Sequence, residues 1–225
     1  MPHNGSMKVA AVVLAAGGST RFGQPKQLAI FRGEPFVRRV VAATNDAGCA
    51  PIVVVVGADA AQITSALAGL SVSIAEHPNW SNGPGSSIAV GVEHAASITA
   101  DLDAMILLTC DQPFVNVAAL RQLIQLRLET GKPIVASAYA GTLGIPALFN
   151  RSCFVDLLQL TGDSGAKEII LGRLHDVAPF NFPAAAIDID TAADYEKLRD
   201  GEDRVQKECK AKHNNPPVNA PSRVR

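Results

Sequence analysis

Residues 9 to 28 read VAAVVLAAGGSTRFGQPKQL, an apolar run that leads into a loop rich in glycine and cationic residues. The run Val9–Leu14 has the composition of a buried strand. Gly17 and Gly18 lack Cβ atoms, so we expect the backbone to turn sharply there and to point several N–H groups at an anion. Arg21 and Lys26 add positive charge beside them. This combination predicts a loop that holds the phosphates of a nucleoside triphosphate.

Two common phosphate-binding motifs do not fit this loop. A Walker A loop needs Ser or Thr directly after Gly-Lys, but Lys26 follows Pro25 and precedes Gln27. The dinucleotide fingerprint Gly-x-Gly-x-x-Gly needs a helix directly after its glycines, whereas these glycines lie in a long loop that contains a proline. The alternative interpretation is an ordinary strand-to-helix connection whose Arg and Lys are solvated.

Composition limits the class of protein. The chain has 225 residues, of which 48% are hydrophobic, enough for one sizeable core. Its formal net charge of −1 provides no field that would attract nucleic acid or a membrane surface. No apolar run has the length of a membrane span, and the N-terminus lacks the pattern of a signal peptide. The four cysteines are scattered without a Cys-x-x-Cys pair, which disfavours zinc and disulfides. We therefore expect a cytoplasmic protein that binds neither nucleic acid nor membranes.

The sequence predicts a single domain over residues 7–200. Residues 1–6 precede a second methionine, Met7, and are interpreted as a native extension or a tag remnant. Residues 201–225 are polar, and such a composition cannot bury enough apolar area to order itself. We therefore expect a disordered tail.

Apolar runs alternate with helical patterns between these ends. Runs rich in Val, Ile and Leu predict strands at Val9–Leu14, Ile52–Val56, Val72–Ala75, Ala104–Leu108 and Ile134–Ser137. Helical spacing predicts helices at about Phe36–Asn45, Ala60–Leu67, Ser86–His94 and Val117–Leu128. This alternation indicates an α/β fold with a doubly wound, mostly parallel sheet and helices on both faces. Ligands of such sheets bind beyond the carboxyl ends of the strands, where the Gly17 loop falls.

Two further blocks carry carboxylates. Met105–Pro113 is an apolar strand that ends at Asp111, and Ile187–Tyr195 alternates Ile with Asp before a helix. The alternation predicts a short strand with Asp188 and Asp190 on one face. Because Mg²⁺ is held by one or two carboxylates together with substrate phosphates, these residues are candidate ligands. The alternative is that Asp111 caps the helix near Val117 or shapes a turn, and that the later aspartates cap a terminal helix.

The segment Asn79–Ile88 places glycines and hydroxyls before a helix, which predicts contacts with a base or ribose. Alternatively, Ser86 is a helix cap and Trp80 packs on the core. The isolated histidines show no metal-binding spacing, so we expect structural roles for them.

These blocks resemble the MobA-like nucleotidyltransferases, and within them the molybdenum cofactor cytidylyltransferases. The resemblance runs from about Lys8 to Leu198, and its loop pattern is Leu-Ala-Ala-Gly-x-Ser-x-Arg-Met-Gly-x-x-Lys, with Phe22 in place of Met here. It implies a Rossmann-like, three-layer α/β/α nucleotidyltransferase fold and catalytic roles for Arg21, Lys26 and Asp111. The residues it implies for the nucleotide site are Leu14, Ala15, Ala16, Gly17, Gly18, Ser19, Arg21, Lys26, Gly85, Ser86 and Ser87.

The resemblance also implies the metal and acceptor sites. Asp111 of the Cys-Asp-Gln-Pro block is a metal ligand, and for the carboxylate of the closing motif we favour Asp190, with Asp188 second. The family's acceptor block Gly-x-Pro-x-x-Phe is matched here, with Ile145 where the family often has His before the proline. Its block Gly-Asp-x-Gly-Ala-Arg is also matched, with Lys167 in place of the arginine. The implied acceptor residues are Gly144, Pro146, Asp163 and Lys167. The second block is alternatively a helix N-cap.

The reaction implied by the resemblance is Mg²⁺-dependent transfer of CMP from CTP to the terminal phosphate of molybdopterin, with release of pyrophosphate. Ala16 favours CTP, because the guanylyl branch has Leu-Ala-Gly-Gly. The alternatives are guanylyl transfer to the same cofactor, transfer to a sugar or alditol phosphate, and a non-catalytic nucleotide-binding accessory protein for a molybdenum hydroxylase. A hydroxylase or its chaperone is the expected protein partner. A hydride-transferring enzyme of similar fold is disfavoured, because this sequence lacks the dinucleotide fingerprint.

Overall fold

The structure is a computed structural model that describes residues 7–201, so the predictions for residues 1–6 and for the tail beyond 201 lie outside the described residues. The strands are β1 (Val9–Ala15), β2 (Ile30–Phe31), β3 (Glu34–Pro35), β4 (Ile52–Val56), β5 (Ser73–Glu76), β6 (Ala104–Thr109), β7 (Ile134–Tyr139), β8 (Thr142–Asn150) and β9 (Val177–Asn181). The helices are α1 (Phe36–Asp46), α2 (Ala60–Ala66), α3 (Pro84–Ile98), α4 (Val117–Thr130), α5 (Phe154–Leu158) and α6 (Ala166–Gly172). Residues 192–201 are also helical.

One sheet of seven strands has the order β5-β4-β1-β6-β8-β7-β9. β1 pairs in parallel with β4 and β6, and β4 pairs in parallel with β5. β8 is antiparallel to both of its neighbours, and β9 is parallel to β7. The prediction of a mostly parallel sheet is confirmed, and the five strands predicted from runs rich in Val, Ile and Leu and the four helices predicted from helical spacing are all present.

Two hydrophobic cores lie on the two faces of the sheet. Neighbouring residues of β1 point to opposite faces, so that Val13 packs with helices α1, α2 and α4, while Val12 packs with α3, α5 and α6. Helix α3 approaches the sheet very closely, because a Cβ at Gly91 would overlap the side chain of Val12. The result is the three-layer α/β/α arrangement implied by the resemblance. Within residues 7–201, none of the helices combines the length and the apolar character needed to cross a membrane.

Strand β8 was not predicted. Its apolar part is interrupted by Pro146, which has no N–H to contribute to a ladder. Ser137 pairs with Gly144 but Ala136 pairs with Ala147, so Ile145 and Pro146 form a bulge in β8. The bulge breaks the alternation by which a strand is recognised in a sequence.

The predicted strand over Ile187–Asp190 is wrong. These residues are irregular, and the Ile189 N–H donates to the Asp111 carbonyl at 3.0 Å, which ties the segment to the end of β6 rather than to a sheet edge. Ile189 is buried with Phe22, Phe31 and Phe36, so the apolar side chain is used for packing outside the main sheet.

Candidate active site

The loop after β1 does not turn where its first glycines stand. The chain turns at residues 20–22, with positive φ angles at Ser19 (49°) and Gly23 (82°), and has no turn or bend at Gly17 and Gly18, so the prediction of a sharp turn there is wrong. Gly18 instead makes room for Trp80, because a Cβ there would lie 2.8 Å from the ring atom Cη2. The glycine is therefore required by a close approach rather than by a backbone angle.

Gln27 holds the loop in shape. It is 1% exposed, and its Nε2 donates to the carbonyls of Ala15 at 3.1 Å and Gly17 at 2.8 Å. Ser19 Oγ donates to Gln27 Oε1 at 3.1 Å and accepts from the Lys26 N–H at the same distance. Sequence reasoning gave Gln27 no role. The only signal was its position directly after the lysine, and burial of a glutamine is visible only in the folded chain.

Lys26 lies between two carboxylates. Its Nζ is 2.6 Å from Asp111 Oδ2 and 2.8 Å from Asp190 Oδ1. Arg21 Nη2 lies 3.1 Å from Asp190 Oδ2. The side chains of Lys26 and Asp111 are only 16% and 15% exposed, whereas that of Asp190 is 39% exposed. The fold thus brings together four predicted site residues from three separate sequence blocks; we call them the Lys26 cluster.

The charges of the cluster stabilise one another. Burial alone would lower the pKa of Lys26, but the carboxylates of Asp111 and Asp190 outweigh it and raise that pKa above its ordinary value. The hydrogen bond from Lys26 is the main cause of a lowered pKa at Asp190. Partial burial of its carboxylate, and then the nearby Asp111, raise the pKa of Asp188. Asp188 is therefore close to the cluster but does not share its ion pairs.

Neither Asp111 nor Asp190 caps a helix. Asn116 is the cap of α4, and its side-chain oxygen accepts from the Ala119 N–H at 3.0 Å. At the start of the last helix, Asp194 Oδ2 accepts from the Thr191 N–H at 3.0 Å and Thr191 Oγ1 accepts from the Asp194 N–H at 3.2 Å. This reciprocal pair is a capping box. The alternative of capping roles for the two cluster aspartates is wrong.

The donor set of the cluster fits a hard divalent cation. Asp111 Oδ1 is buried and has no hydrogen-bond partner among the described residues. Carboxylate oxygens are the ligands that Mg²⁺ prefers, and Mg²⁺ commonly completes its shell with substrate phosphates and water. In residues 7–201, no group of three or more His, Cys, Asp or Glu side chains is placed to hold a metal ion by itself. The residues present therefore suit an ion that shares the oxygens of a substrate.

A cavity of about 380 Å³ lies beside the Lys26 cluster. Its lining residues are Leu14, Ala16, Gly17, Lys26, Gln27, Trp80, Ser81, Gly83, Pro84, Ser87, Thr109, Cys110 and Asp111. A larger groove of about 1260 Å³ between the β2–β3 hairpin and the last helix is lined by Asp188 but not by Lys26 or Asp111. Of these two cavities, only the smaller one combines the loop after β1 with the buried charges of Lys26 and Asp111.

Two of the predicted nucleotide-binding residues, Gly85 and Ser86, do not line this cavity. Ser87 lines it, but Ser86 Oγ donates to the Gly83 carbonyl at 2.7 Å and lies 2.9 Å from His77 Nε2. Helix α3 begins at Pro84 with Gly83 at its N-cap position, so Ser86 is not the cap. Gly85 packs against the backbone of Thr161. The roles of these residues in binding stay predictions.

The predicted acceptor residues are divided in space. Gly144 and Pro146 lie in the β8 bulge region, which Gln112 ties to the end of β6 by donating to the Ile145 carbonyl at 3.3 Å. Asp163 and Lys167 are exposed, and in the described part of the chain no hydrogen bond or ion pair links them to the Lys26 cluster. The N-cap of α6 is Gly165, without a side-chain hydrogen bond, so the block that contains Asp163 is not a side-chain cap.

Known proteins are similar to this chain in sequence. Nicotine blue oxidoreductase of Paenarthrobacter nicotinovorans is 29% identical over 84% of this chain and 96% of its own length. A Bacillus cereus protein named "probable molybdenum cofactor guanylyltransferase" is 36% identical over 48% of this chain, and the chain spans about half of that relative, 52% of its length.

Two solved structures are similar over most of the chain. A nucleotidyl transferase from Methanothermobacter superposes with a TM-score of 0.73 and 26% identity, covering 89% of this chain and all of that one (100%). The Mycobacterium tuberculosis protein Rv0371c, in complex with manganese, has a TM-score of 0.70 and 27% identity, covering 85% of this chain and 98% of that one.

A family model described as the MobA-like NTP transferase domain matches residues 11–177. The match contains the loop after β1 and Asp111, whereas Asp190 lies beyond it, so the place of Asp190 in the cluster rests on the structure. Since the match spans most of the described residues, the chain belongs to the MobA-like NTP transferase family.

Proposed function

We propose that the protein transfers CMP from CTP to the terminal phosphate of a molybdopterin-type cofactor and releases pyrophosphate. The observation that carries this proposal is Lys26 held between Asp111 and Asp190 beside a cavity lined by the loop after β1. Membership of the family supports nucleotidyl transfer. The relative named for guanylyl transfer to the molybdenum cofactor supports the class of acceptor. Ala16 supports CTP as the donor.

The chemistry needs positioning and charge neutralisation rather than a covalent intermediate. An oxygen of the acceptor phosphate attacks the α-phosphorus, and a new P–O bond forms. The bond from the α-phosphorus to the oxygen that bridges to the β-phosphate breaks, and its electron pair leaves with pyrophosphate. A phosphate monoester is already ionised at neutral pH, so no general base is required. Lys26 and Arg21 offset the charge that builds on the leaving pyrophosphate.

Asp111 and Asp190 are the residues that would hold Mg²⁺. When bound, the ion supplies positive charge to the phosphate oxygens and polarises them. Asp111 Oδ1, which has no hydrogen-bond partner in residues 7–201, supports this site, and so does the manganese complex of Rv0371c. Among the residues of this chain, Lys26 keeps the two carboxylates together, and the raised pKa of its ammonium keeps it protonated at neutral pH.

Pyrophosphate release is the test of this proposal. Purified protein is mixed with Mg²⁺ and molybdenum-bearing molybdopterin, and CTP, GTP and ATP are compared side by side. We expect release with CTP, and slower release at the same Mg²⁺ concentration in an Asp111→Asn variant that still binds CTP. Preference for GTP would move the protein to the guanylyl branch. No pyrophosphate release with this acceptor, but release with a sugar or alditol phosphate, would change the acceptor class. Nucleotide binding without any pyrophosphate release would indicate an accessory protein.

A second candidate function is oxidoreduction, favoured by the name of the relative that matches 84% of the chain. The loop after β1 lacks the dinucleotide fingerprint, which argues against it. Oxidation of NADH or NADPH by an added electron acceptor, in the absence of any nucleoside triphosphate, would support this candidate and contradict the first.

We also propose a molybdenum hydroxylase or its chaperone as the protein partner, and a cytoplasmic location. The described cysteines Cys49, Cys110 and Cys153 are buried free thiols, which supports a reducing compartment. Co-purification of the cofactor-loaded protein with a hydroxylase from the same cells tests the partner.

A further inference from the structure

The indole ring of Trp80 lies between two glycines. A Cβ at Gly18 would be 2.8 Å from ring atom Cη2, and a Cβ at Gly57 would be 2.7 Å from Trp80 Cγ. Any other residue at either position would therefore force the ring or the backbone to move. The same ring lines the cavity beside the Lys26 cluster and also packs on the core between the sheet and α3. Trp80 is thus a fixed part of the cavity wall.

A buried histidine and a serine hold the segment that carries Trp80. The His77 N–H donates to the Val56 carbonyl at 2.9 Å, and the Trp80 N–H donates to the His77 carbonyl at 3.1 Å. His77 Nε2 lies 2.9 Å from Ser86 Oγ, whose proton is donated to the Gly83 carbonyl. Because the hydroxyl has a single proton, it accepts from His77 Nε2–H. This pair, the His77–Ser86 brace, links the two ends of the segment around Trp80.

Ala16 presents less surface to a ligand than Trp80 does. It is 4% exposed, and its methyl group belongs to the core on the α3 face. Its carbonyl accepts from the Ala58 N–H at 3.1 Å, which fixes the backbone as well. A nucleobase would therefore meet the indole over a wider area than the alanine methyl.

The charges of the cavity decide which part of a nucleotide faces Trp80. Lys26 attracts phosphates, so a nucleotide with its phosphates beside Lys26 would place its base toward the uncharged lining formed by Trp80, Ser81, Gly83 and Ser87. We infer that Trp80, fixed by Gly18, Gly57 and the His77–Ser86 brace, limits the size of the nucleobase and selects pyrimidine over purine nucleotides. This rests on the proposed function, since it takes CTP as the donor. His77 and Ser86 are positioning residues in this arrangement.

Trp80 is the only tryptophan in the 225 residues, so its fluorescence reports on this wall directly. CTP and GTP are titrated with Mg²⁺ and without acceptor, and affinities are also measured by equilibrium dialysis. We expect CTP to change the fluorescence and to bind about tenfold more tightly than GTP. In Trp80→Ala the ratio of the two affinities falls toward one, and in Trp80→Phe it is intermediate. Circular dichroism checks the fold of each variant.

The brace is tested in variants that keep the tryptophan. His77→Ala and Ser86→Ala are expected to make the fluorescence of Trp80 more accessible to acrylamide quenching and to reduce the preference for CTP. The matched control is His94→Ala, which removes a similar pair, His94 Nε2 to Ser73 Oγ at 2.7 Å, at a position away from the cavity. This control is expected to leave both readouts unchanged.

The outcomes separate the inference from the proposed function. CTP-dependent pyrophosphate release together with an unchanged affinity ratio in Trp80→Ala would overturn the inference alone. A wild-type protein that prefers GTP would also overturn it while leaving nucleotidyl transfer intact. Binding of neither nucleotide, with no pyrophosphate released, would overturn both. If Trp80→Ala fails to fold, an unchanged ratio in Trp80→Phe overturns the inference.

Discussion

The ammonium of Lys26 lies 2.6 Å from Asp111 Oδ2, although 85 residues separate the two in the chain. The contact follows from the sheet, because β1 and β6 are parallel neighbours in which Leu14 pairs with Thr109. The loops that follow both strands leave the sheet at the same edge, so a cation after one strand meets a carboxylate after the other. The proposed metal site and the proposed neutralisation of the leaving group both depend on this juxtaposition.

Replacement of Lys26 should abolish most of the turnover without unfolding the protein. We expect Lys26→Ala to lower the rate of CTP-dependent pyrophosphate release by about 100-fold or more, since the charge on the leaving group loses its compensation. Lys8→Ala is the matched control, because it removes an ion pair with Asp101 at the opposite end of β1. Turnover of Lys26→Ala near that of Lys8→Ala would contradict the assigned role.

Three carboxamide variants distinguish the metal ligands. Asp111→Asn and Asp190→Asn should each raise the Mg²⁺ concentration needed for half-maximal turnover by about tenfold or more, because each removes a charged oxygen ligand. Asp188→Asn should have a smaller effect, since Asp188 is outside the ion pairs of the Lys26 cluster. A larger effect of Asp188→Asn than of Asp190→Asn would reverse the order in which we rank the two residues.

The Lys26 cluster should give stability a defined pH dependence. Lys26→Met leaves buried Asp111 without its partner, and we expect the free energy of unfolding at neutral pH to fall by about 1–3 kcal/mol. The lowered pKa of Asp190 means that its contribution is present above the ordinary value of 3.8 and is lost as the pH falls through the lower folded value. The raised pKa of Lys26 means that its contribution is complete below 10.5 and is lost only as the pH rises through the higher folded value.

Denaturant unfolding of wild type and Lys26→Met across this pH range measures the difference. We expect the difference to be largest near neutrality and to shrink in acid, where the carboxylates of the variant become protonated and no longer repel one another. A difference that stayed constant from neutral pH to about pH 3 would show that charge is not its cause.

The close approach of two loops at Gly83 should be needed for the fold of the cavity. Gly83 has a φ of 105°, and a Cβ there would overlap the backbone of Gly162. We expect Gly83→Ala to destabilise the protein by more than the roughly 1–3 kcal/mol of backbone strain alone and to weaken CTP binding. Gly131→Ala is the control, since it shares a positive φ of 66° but meets nothing within 4 Å. Equal losses of stability in the two variants would show that the loop contact contributes nothing.

Gly144 offers a test of the acceptor side. A Cβ at this position would overlap the Tyr139 hydroxyl. Burial, and then the charge of Asp188, raise the pKa of Tyr139, so its phenol lies in the field of the Asp188 carboxylate. Because the phenol is the outer end of a side chain and can move aside, Gly144→Ala should fold normally. We expect KM for the acceptor to rise about tenfold or more while KM for CTP stays unchanged. Gly172→Ala, which meets nothing within 4 Å, is the control.

The parallel part of the sheet could be predicted from the sequence because strands buried on both faces are continuous apolar runs. The run Ile52–Val56 is buried at every position and was predicted with its observed bounds. Strand β8 could not be predicted because Pro146 and the bulge interrupt its alternating pattern. The segment Ile187–Asp190 has the alternating pattern of a strand because Ile189 packs on a small aromatic cluster outside the main sheet. The periodicity of apolar residues indicates which side chains are buried, but it does not indicate which part of the fold they pack against.

The sequence by itself determined the cationic loop after β1, the carboxylate after β6 and the alternation that makes the fold, because each depends on residues that are adjacent in the chain. Only the tertiary structure decided that Asp190 rather than Asp188 forms an ion pair with Lys26, and that Gly18 accommodates Trp80. It also decided that Ser86 bonds to Gly83 and His77 and does not line the cavity. These are distances between segments remote in sequence, and they are set by how helices and loops pack on the sheet, which no local pattern encodes.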